Sequence, residues 1–195
     1  MKKLLRLFLV AVFAIVAIGA NAQVGIEAGY VNSKFSKANE PFNGFRVGAT
    51  YDMTVQGNFA LNYGVGYTFL TQKNATGGSL ASVELKSTGH YVDIPVRAMY
   101  SIPLNASSKF FLYAGPDFYF GLAGKNKITG QVAGAEGNTT HDWYGDMKRF
   151  DVLLGAGGGI QFNRIRIKAG YDWGMVEVNK SITRNQFNVS LGFMF

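Results

Sequence analysis

Ten charged side chains in this 195-residue chain share a spacing that would bring them to one surface. They are Glu27, Asp52, Asp93, Asp117, Asp151 and Asp172, with Arg46, Arg97, Arg166 and Lys168. Each alternates with apolar neighbours in its own stretch, so each stretch has one charged and one apolar side. Opposite charges in a narrow, partly dehydrated space pair, and a fully hydrogen-bonded network of them blocks that space. The other use of such a set is a path for ions or protons.

The remaining constellations are weaker. Gly155-Ala156-Gly157-Gly158-Gly159 invites a phosphate-loop reading, but no Lys-Ser or Lys-Thr follows and Ile160 breaks the required spacing. Gly155, Gly157 and Gly159 share parity with the charges, where room for Phe111, Tyr113 and Tyr119 is the better account. Thr88 and His90 share the apolar side; a hydroxyl and an imidazole could serve a lipid hydrolase, but no acid on that side completes a triad. Two histidines and no cysteine give no basis for a transition-metal centre, and no motif calls for a cofactor. Trp143 and Tyr144, beside His141 and Asp142, either meet an external partner or fold back over the body of the protein.

The first 22 residues read as a secretory signal peptide. Lys2, Lys3 and Arg6 precede an apolar run from Leu7 to Ile18, and Ala20-Asn21-Ala22 supplies a small-x-small cleavage site between Ala22 and Gln23. The apolar run is shorter than the ~20 residues of a spanning helix. Residues 23–195 then form one domain, with sixteen basic against twelve acidic residues, a formal +4. That balance in an exported chain gives no reason to expect a nucleic-acid partner. Without cysteine, stability must come from hydrogen-bonded strands and packing.

Period-two alternation recurs eight times after the signal, and a sustained 3.6-residue period does not appear. The strands run near Val24–Tyr30, Phe45–Met53, Phe59–Phe69, His90–Tyr100, Phe110–Leu122, Phe150–Phe162, Ile165–Met175 and Arg184–Phe195. Short turns at Gln56-Gly57, Pro103–Ser108 and Asn163-Arg164 alternate with longer connections at 34–43, 72–88, 124–149 and 177–183. An even strand count with turns sorted short and long is the pattern of an outer-membrane barrel. Pro95 and Pro116, inside strands, each remove a ladder donor and are expected to sit at bulges.

The charge-free side of all eight strands must face lipid. An inward orientation would crowd the interior of a small barrel with Phe, Tyr and Leu and leave glycine outside. An Arg or Lys at the lipid-facing midplane costs about 2–4 kcal/mol, and barrel closure satisfies every backbone group. Aromatics then gather at the rims: Tyr51, Phe59, Tyr100, Phe110, Phe162, Phe193 and Phe195 at the inner, Phe45, Phe69, Phe120, Phe150, Trp173 and Phe187 at the outer. Phe187, Val189, Leu191, Phe193 and Phe195 also read as a carboxyl-terminal assembly signal for the barrel-assembly machinery.

Tyr91-Val92-Asp93-Ile94-Pro95 and Phe111-Leu112-Tyr113-Ala114-Gly115-Pro116 resemble the paired hallmark of the porin-family, PorT-like outer-membrane β-barrel domain, a group of small OmpA/OmpX-like barrels. The resemblance implies an outer-membrane barrel, one branch of the family serving a gliding-associated secretion system. Taken together, the expectation is an all-β, eight-stranded antiparallel up-and-down transmembrane β-barrel in a bacterial outer membrane, not an enzyme. It would lie among lipids and lipopolysaccharide, its lumen plugged by side chains, and act structurally or through its extracellular loops. The alternatives are a narrow porin and an accessory of a secretion machine.

Overall fold

In the computed structural model the described residues are 22–38, 40–77, 81–132, 135–145, 147–179 and 181–195. The signal-peptide residues, from Lys2, Lys3 and Arg6 to Asn21, lie outside them. Among the described residues there are nine antiparallel strands: β1 (Ala22–Phe35), β2 (Phe42–Gln56), β3 (Phe59–Gly77), β4 (Ala81–Asn105), β5 (Ser108–Val132), β6 (Ala135–Asp142), β7 (Phe150–Phe162), β8 (Ile165–Gly174) and β9 (Arg184–Met194). A single 3-10 turn spans Trp143–Gly145. Eight of the strands form a closed ring of neighbours, β1 to β5 and then β7, β8 and β9, because β4 pairs with β5 and β1 pairs with β9. The Phe195 N–H donates to the Val24 carbonyl at 2.8 Å, extending the β1–β9 seam.

Alternation decides which side faces out. Ile26, Val47, Ile94, Leu112, Leu154, Ile167 and Leu191 are exposed on the outside, while their neighbours Glu27, Asp93, Phe111, Asp151 and Arg166 are buried inside. Tyr51 departs from this pattern: it shares parity with Val47 but is only 4% exposed, its ring centroid 5.0 Å from that of Tyr63. Rim aromatics meet across strands, Phe59 with Tyr100 at 4.8 Å, Phe45 with Phe69 at 5.6 Å and Phe120 with Phe150 at 5.0 Å. Phe59 and Phe69 on β3 are ten residues apart, which at the usual rise and tilt spans about 25 Å, the height of a barrel's apolar band.

Two expectations are corrected. The connections at 72–88 and 124–149 are largely strand: β3, β4 and β5 continue past the outer rim, and β6 adds a further partner to β5. Their polar composition hid them, since a strand wet on both faces has no apolar alternation to read. Pro95 and Pro116 make no bulge; the β4–β5 register is the same on either side of Pro95, and β5 runs in one register with β7 through Pro116. The proline-associated adjustment is a φ of 155° at Gly115, which Pro116 follows. The register shifts on this pair fall instead at His90/Tyr91 and, beside the short turn, at Pro103/Asn105. The tight turns hold left-handed residues, Gly57 (φ 56°) and Asn163 (φ 50°), types that tolerate that conformation.

Candidate functional site

All ten predicted charges point into the barrel, and every one is in an ion pair. At mid-height Arg46 on β2 bridges Glu27 on β1 and Asp93 on β4, the latter at 2.6 Å, while Lys168 on β8 reaches Glu27 at 2.6 Å. Beside it Arg97 on β4 spans Asp117 on β5 at 3.1 Å and Asp172 on β8 at 2.8 Å. Neutral donors satisfy remaining lone pairs: Thr68 donates to Asp93 at 2.9 Å and Asn188 to Asp172 at 2.8 Å. Near the short turns Arg166 pairs with Asp52 and donates to Gln161 at 2.7 Å, and Asn62 donates to Thr50 at 2.7 Å.

The seventh pair brings in a residue that the sequence reading left out of the network. Arg184 contacts Asp151 at 3.0 Å, its guanidinium 4.1 Å over the Tyr119 ring and 4.8 Å over that of Tyr91. Arg184 shares parity with Asn188 and Ser190 on β9, so the alternation already placed it inside. Tyr119 also accepts from Gln186 at 2.8 Å. These side chains leave a cavity of about 20 Å³ at mid-barrel, lined by Arg46, Arg97, Asp117, Tyr119, Lys168 and Asp172, which is room for about one water.

Glycines make the filling possible. A Cβ at Gly157 would lie 2.5 Å from the Tyr113 hydroxyl, and one at Gly159 would lie 2.6 Å from the Phe111 ring. Gly155 does not make room for Tyr119, as its spacing had suggested; it faces Asp172 and the Arg97 guanidinium. Phe111, Tyr113 and Met99 form a small apolar layer between the mid-barrel network and the Arg166–Asp52 pair.

A larger apolar layer covers the extracellular mouth. Val31, Phe35, Phe42, Leu70, Tyr91, Tyr119, Trp143, Leu153 and Val178 pack together there. Trp143 is 6% exposed, edge-on to Phe42 at 5.5 Å, and its indole N–H donates to Asn126 at 2.6 Å. This is the fold-back alternative for Trp143. Tyr144 beside it is half-buried, with Arg149 4.3 Å over its ring, and burial pushes its phenol up. His90 lies on the outer face, where its Nδ1 shares a 2.6 Å hydrogen bond with the Tyr67 hydroxyl, and Thr88 faces Lys125 across the ladder. Phe187, Val189, Leu191, Phe193 and Phe195 are all exposed on the outside of the closing seam.

Beyond the rim, β3, β4, β5 and β6 form a four-stranded extracellular sheet. β3 runs eight residues past Phe69, about 20 Å at the barrel's tilt. Among the described residues β2 leaves β3 at Thr71 and β6 pairs with β5 alone, so both sides of this sheet are open edges.

A closed eight-stranded ring, apolar outside and charged inside, defines an outer-membrane barrel. The sequence model for the outer membrane protein beta-barrel domain matches residues 13–194, and the chain belongs to that family. It is therefore a protein of the bacterial outer membrane, its outward face among lipids and lipopolysaccharide. Among solved structures it is similar to Ail, the attachment invasion locus protein of Yersinia pestis (16% identity, 90% of this chain and 99% of that one, TM-score 0.39). It is also similar to Neisserial surface protein A (17%, 90% and 98%, 0.45) and to the outer membrane enzyme PagL (12%, 86% and 98%, 0.44). No curated protein matches the sequence.

Proposed function

We propose that this protein is a closed, non-enzymatic outer-membrane barrel that presents its extracellular sheet to a partner protein. The observation that carries the reading is the free edge of β6, Ala135–Asp142, held outside the membrane on a rigid ladder. An unpaired edge offers a row of backbone donors and acceptors to an extended segment of another chain. On the face over the mouth, Val83 and Ile128 are exposed and Leu85 lies directly opposite Ile128. The lumen supports this reading over a porin, because all ten of the predicted charges are ion-paired and the mid-barrel cavity holds about one water. His90 is bonded to Tyr67 rather than to a carboxylate, which supports a non-catalytic role.

The same reading takes residues 1–22 as a signal peptide cut between Ala22 and Gln23, which leaves the β1 ladder intact from the Gln23–Asp52 pair onward. Residues 23–195 are the barrel domain, and the outward residues from Phe187 to Phe195 face the assembly machinery during insertion. A photoreactive residue at His141, on living cells, tests the central part. A discrete protein adduct that disappears when residues 127–139 are replaced by a short Gly-Ser turn is expected. Adducts to lipopolysaccharide alone would overturn it.

A further inference from the structure

The opposite face of the extracellular sheet carries a different surface. The ladder sets Lys73 on β3 directly opposite Lys86 on β4, and Lys86 directly opposite Lys127 on β5. Lys125, two residues along β5, lies on the same face opposite Thr88. Three like charges in one cross-strand row destabilise a sheet, since facing Cβ atoms are only about 5 Å apart. All four lysines are exposed, and among the described residues none of their side chains is engaged in an ion pair or hydrogen bond. Three acidic positions share the face: Glu84, opposite Thr129, Glu136, opposite Gln131, and Asp142, opposite Lys125, which accepts the Tyr144 N–H at 2.8 Å.

This is the lipid side of the sheet. Lys86 continues the outward alternation of Ile94, Val92 and His90, and Lys73 that of Tyr67 and Phe69. β5 joins them only through its bulge. Tyr91 faces Gly121 while His90 faces Ala123, so Leu122 is the extra residue. Before it Phe120 points outward; after it Gly124 points inward, against the Trp143 ring, and Lys125 and Lys127 point outward. An unbulged β5 would have turned both lysines over the barrel mouth, because a one-residue slip exchanges the two faces. Lys73 is four residues beyond Phe69, about 10 Å above the outer aromatic girdle at the barrel's tilt, the level of charged headgroups rather than acyl chains.

We propose that Lys73, Lys86, Lys125 and Lys127 form a docking site for the phosphate groups of outer-leaflet lipopolysaccharide. A phosphate between facing lysines removes their mutual repulsion and gains charge-assisted hydrogen bonds, with the hydroxyls of Thr88 and Thr140 in the adjoining ladder positions. The site is continuous with the apolar belt that holds the acyl chains of the same molecule. It depends on the membrane placement of the barrel and is independent of a protein docking at the β6 edge.

The full-length protein, refolded in detergent and verified by its heat-dependent gel mobility, is titrated with purified lipopolysaccharide and with its enzymatically dephosphorylated form. Binding of the phosphorylated lipid is expected to weaken about tenfold or more in K73Q/K86Q/K127Q, and to persist in K73R/K86R/K127R and in the off-site control K34Q/K148Q/R164Q. The dephosphorylated lipid is expected to bind weakly, and equally to all four proteins. Equal binding of the two lipids by the unsubstituted protein, or of the phosphorylated lipid by the Gln variant and the unsubstituted protein, would overturn the proposal. So would lysine-dependent binding confined to soluble polyphosphate, which would assign the row to a dissolved polyanion.

Discussion

The guanidinium of Arg97 on β4 reaches Asp172 on β8 at 2.8 Å, a contact across the lumen between residues 75 apart in sequence. The same guanidinium holds Asp117 on β5 at 3.1 Å, so one cation ties three strands of the barrel together through its interior. Both carboxylates and the guanidinium are buried. Removing one partner of such a set strands the others without solvent.

Replacing Arg97 with Met therefore destabilises the barrel by about 3–5 kcal/mol, measured by denaturant titration in lipid vesicles. The triple change R97M/D117N/D172N is expected to recover more than half of that loss, because no uncompensated charge remains. An R97M barrel as stable as the parent would show that the pair contributes nothing.

Packing around Tyr113 offers a second test. A Cβ at Gly170 would strike the Tyr113 hydroxyl, while its next neighbour, the Ala156 carbonyl, is 3.1 Å away. Gly170→Ala is expected to cost about 1–3 kcal/mol by overpacking. Because the Tyr113 hydroxyl is buried without a hydrogen-bond partner, Tyr113→Phe alone should be close to neutral and should rescue most of the Gly170→Ala loss. Strict additivity in this double-mutant cycle would contradict the contact.

The barrel strands were legible because lipid imposes one rule on every outward residue, and Val92, Ile94, Leu112 and Leu191 obey it. The lumen charges were legible as the complementary parity, and Arg184 would have been found by the same count had the strand's first residue been followed inward. What escaped was structure outside the membrane. Lys73, Asn126 and Thr139 belong to strands whose two faces are both wet, so period two leaves no hydrophobic trace. The bulge at Leu122 escaped for a different reason: it is defined by the partner strand, and only the pairing of His90 with Ala123 reveals it. Trp143 could not be placed from spacing, since what buries it is the meeting of Phe35, Phe42 and Asn126 from three separate strands.

The two tryptophans report on opposite environments. Trp173 is 46% exposed on the outer face, whereas Trp143 lies inside the mouth. In vesicles of lipids brominated on the acyl chain, the fluorescence of W143F, which retains Trp173, is expected to be strongly quenched. That of W173F, which retains Trp143, is expected to change little. Equal quenching of the two would place the apolar face elsewhere than in lipid.

The account turns on a barrel whose interior is closed by its own side chains, and electrical recording from planar bilayers tests that most directly. Full-length protein, shown to be folded by faster gel migration before heating, is expected to insert without discrete conductance steps. Reproducible unitary steps from the unsubstituted protein, altered in size by Asp93→Ala or Arg97→Ala, would contradict the closed lumen and establish a channel.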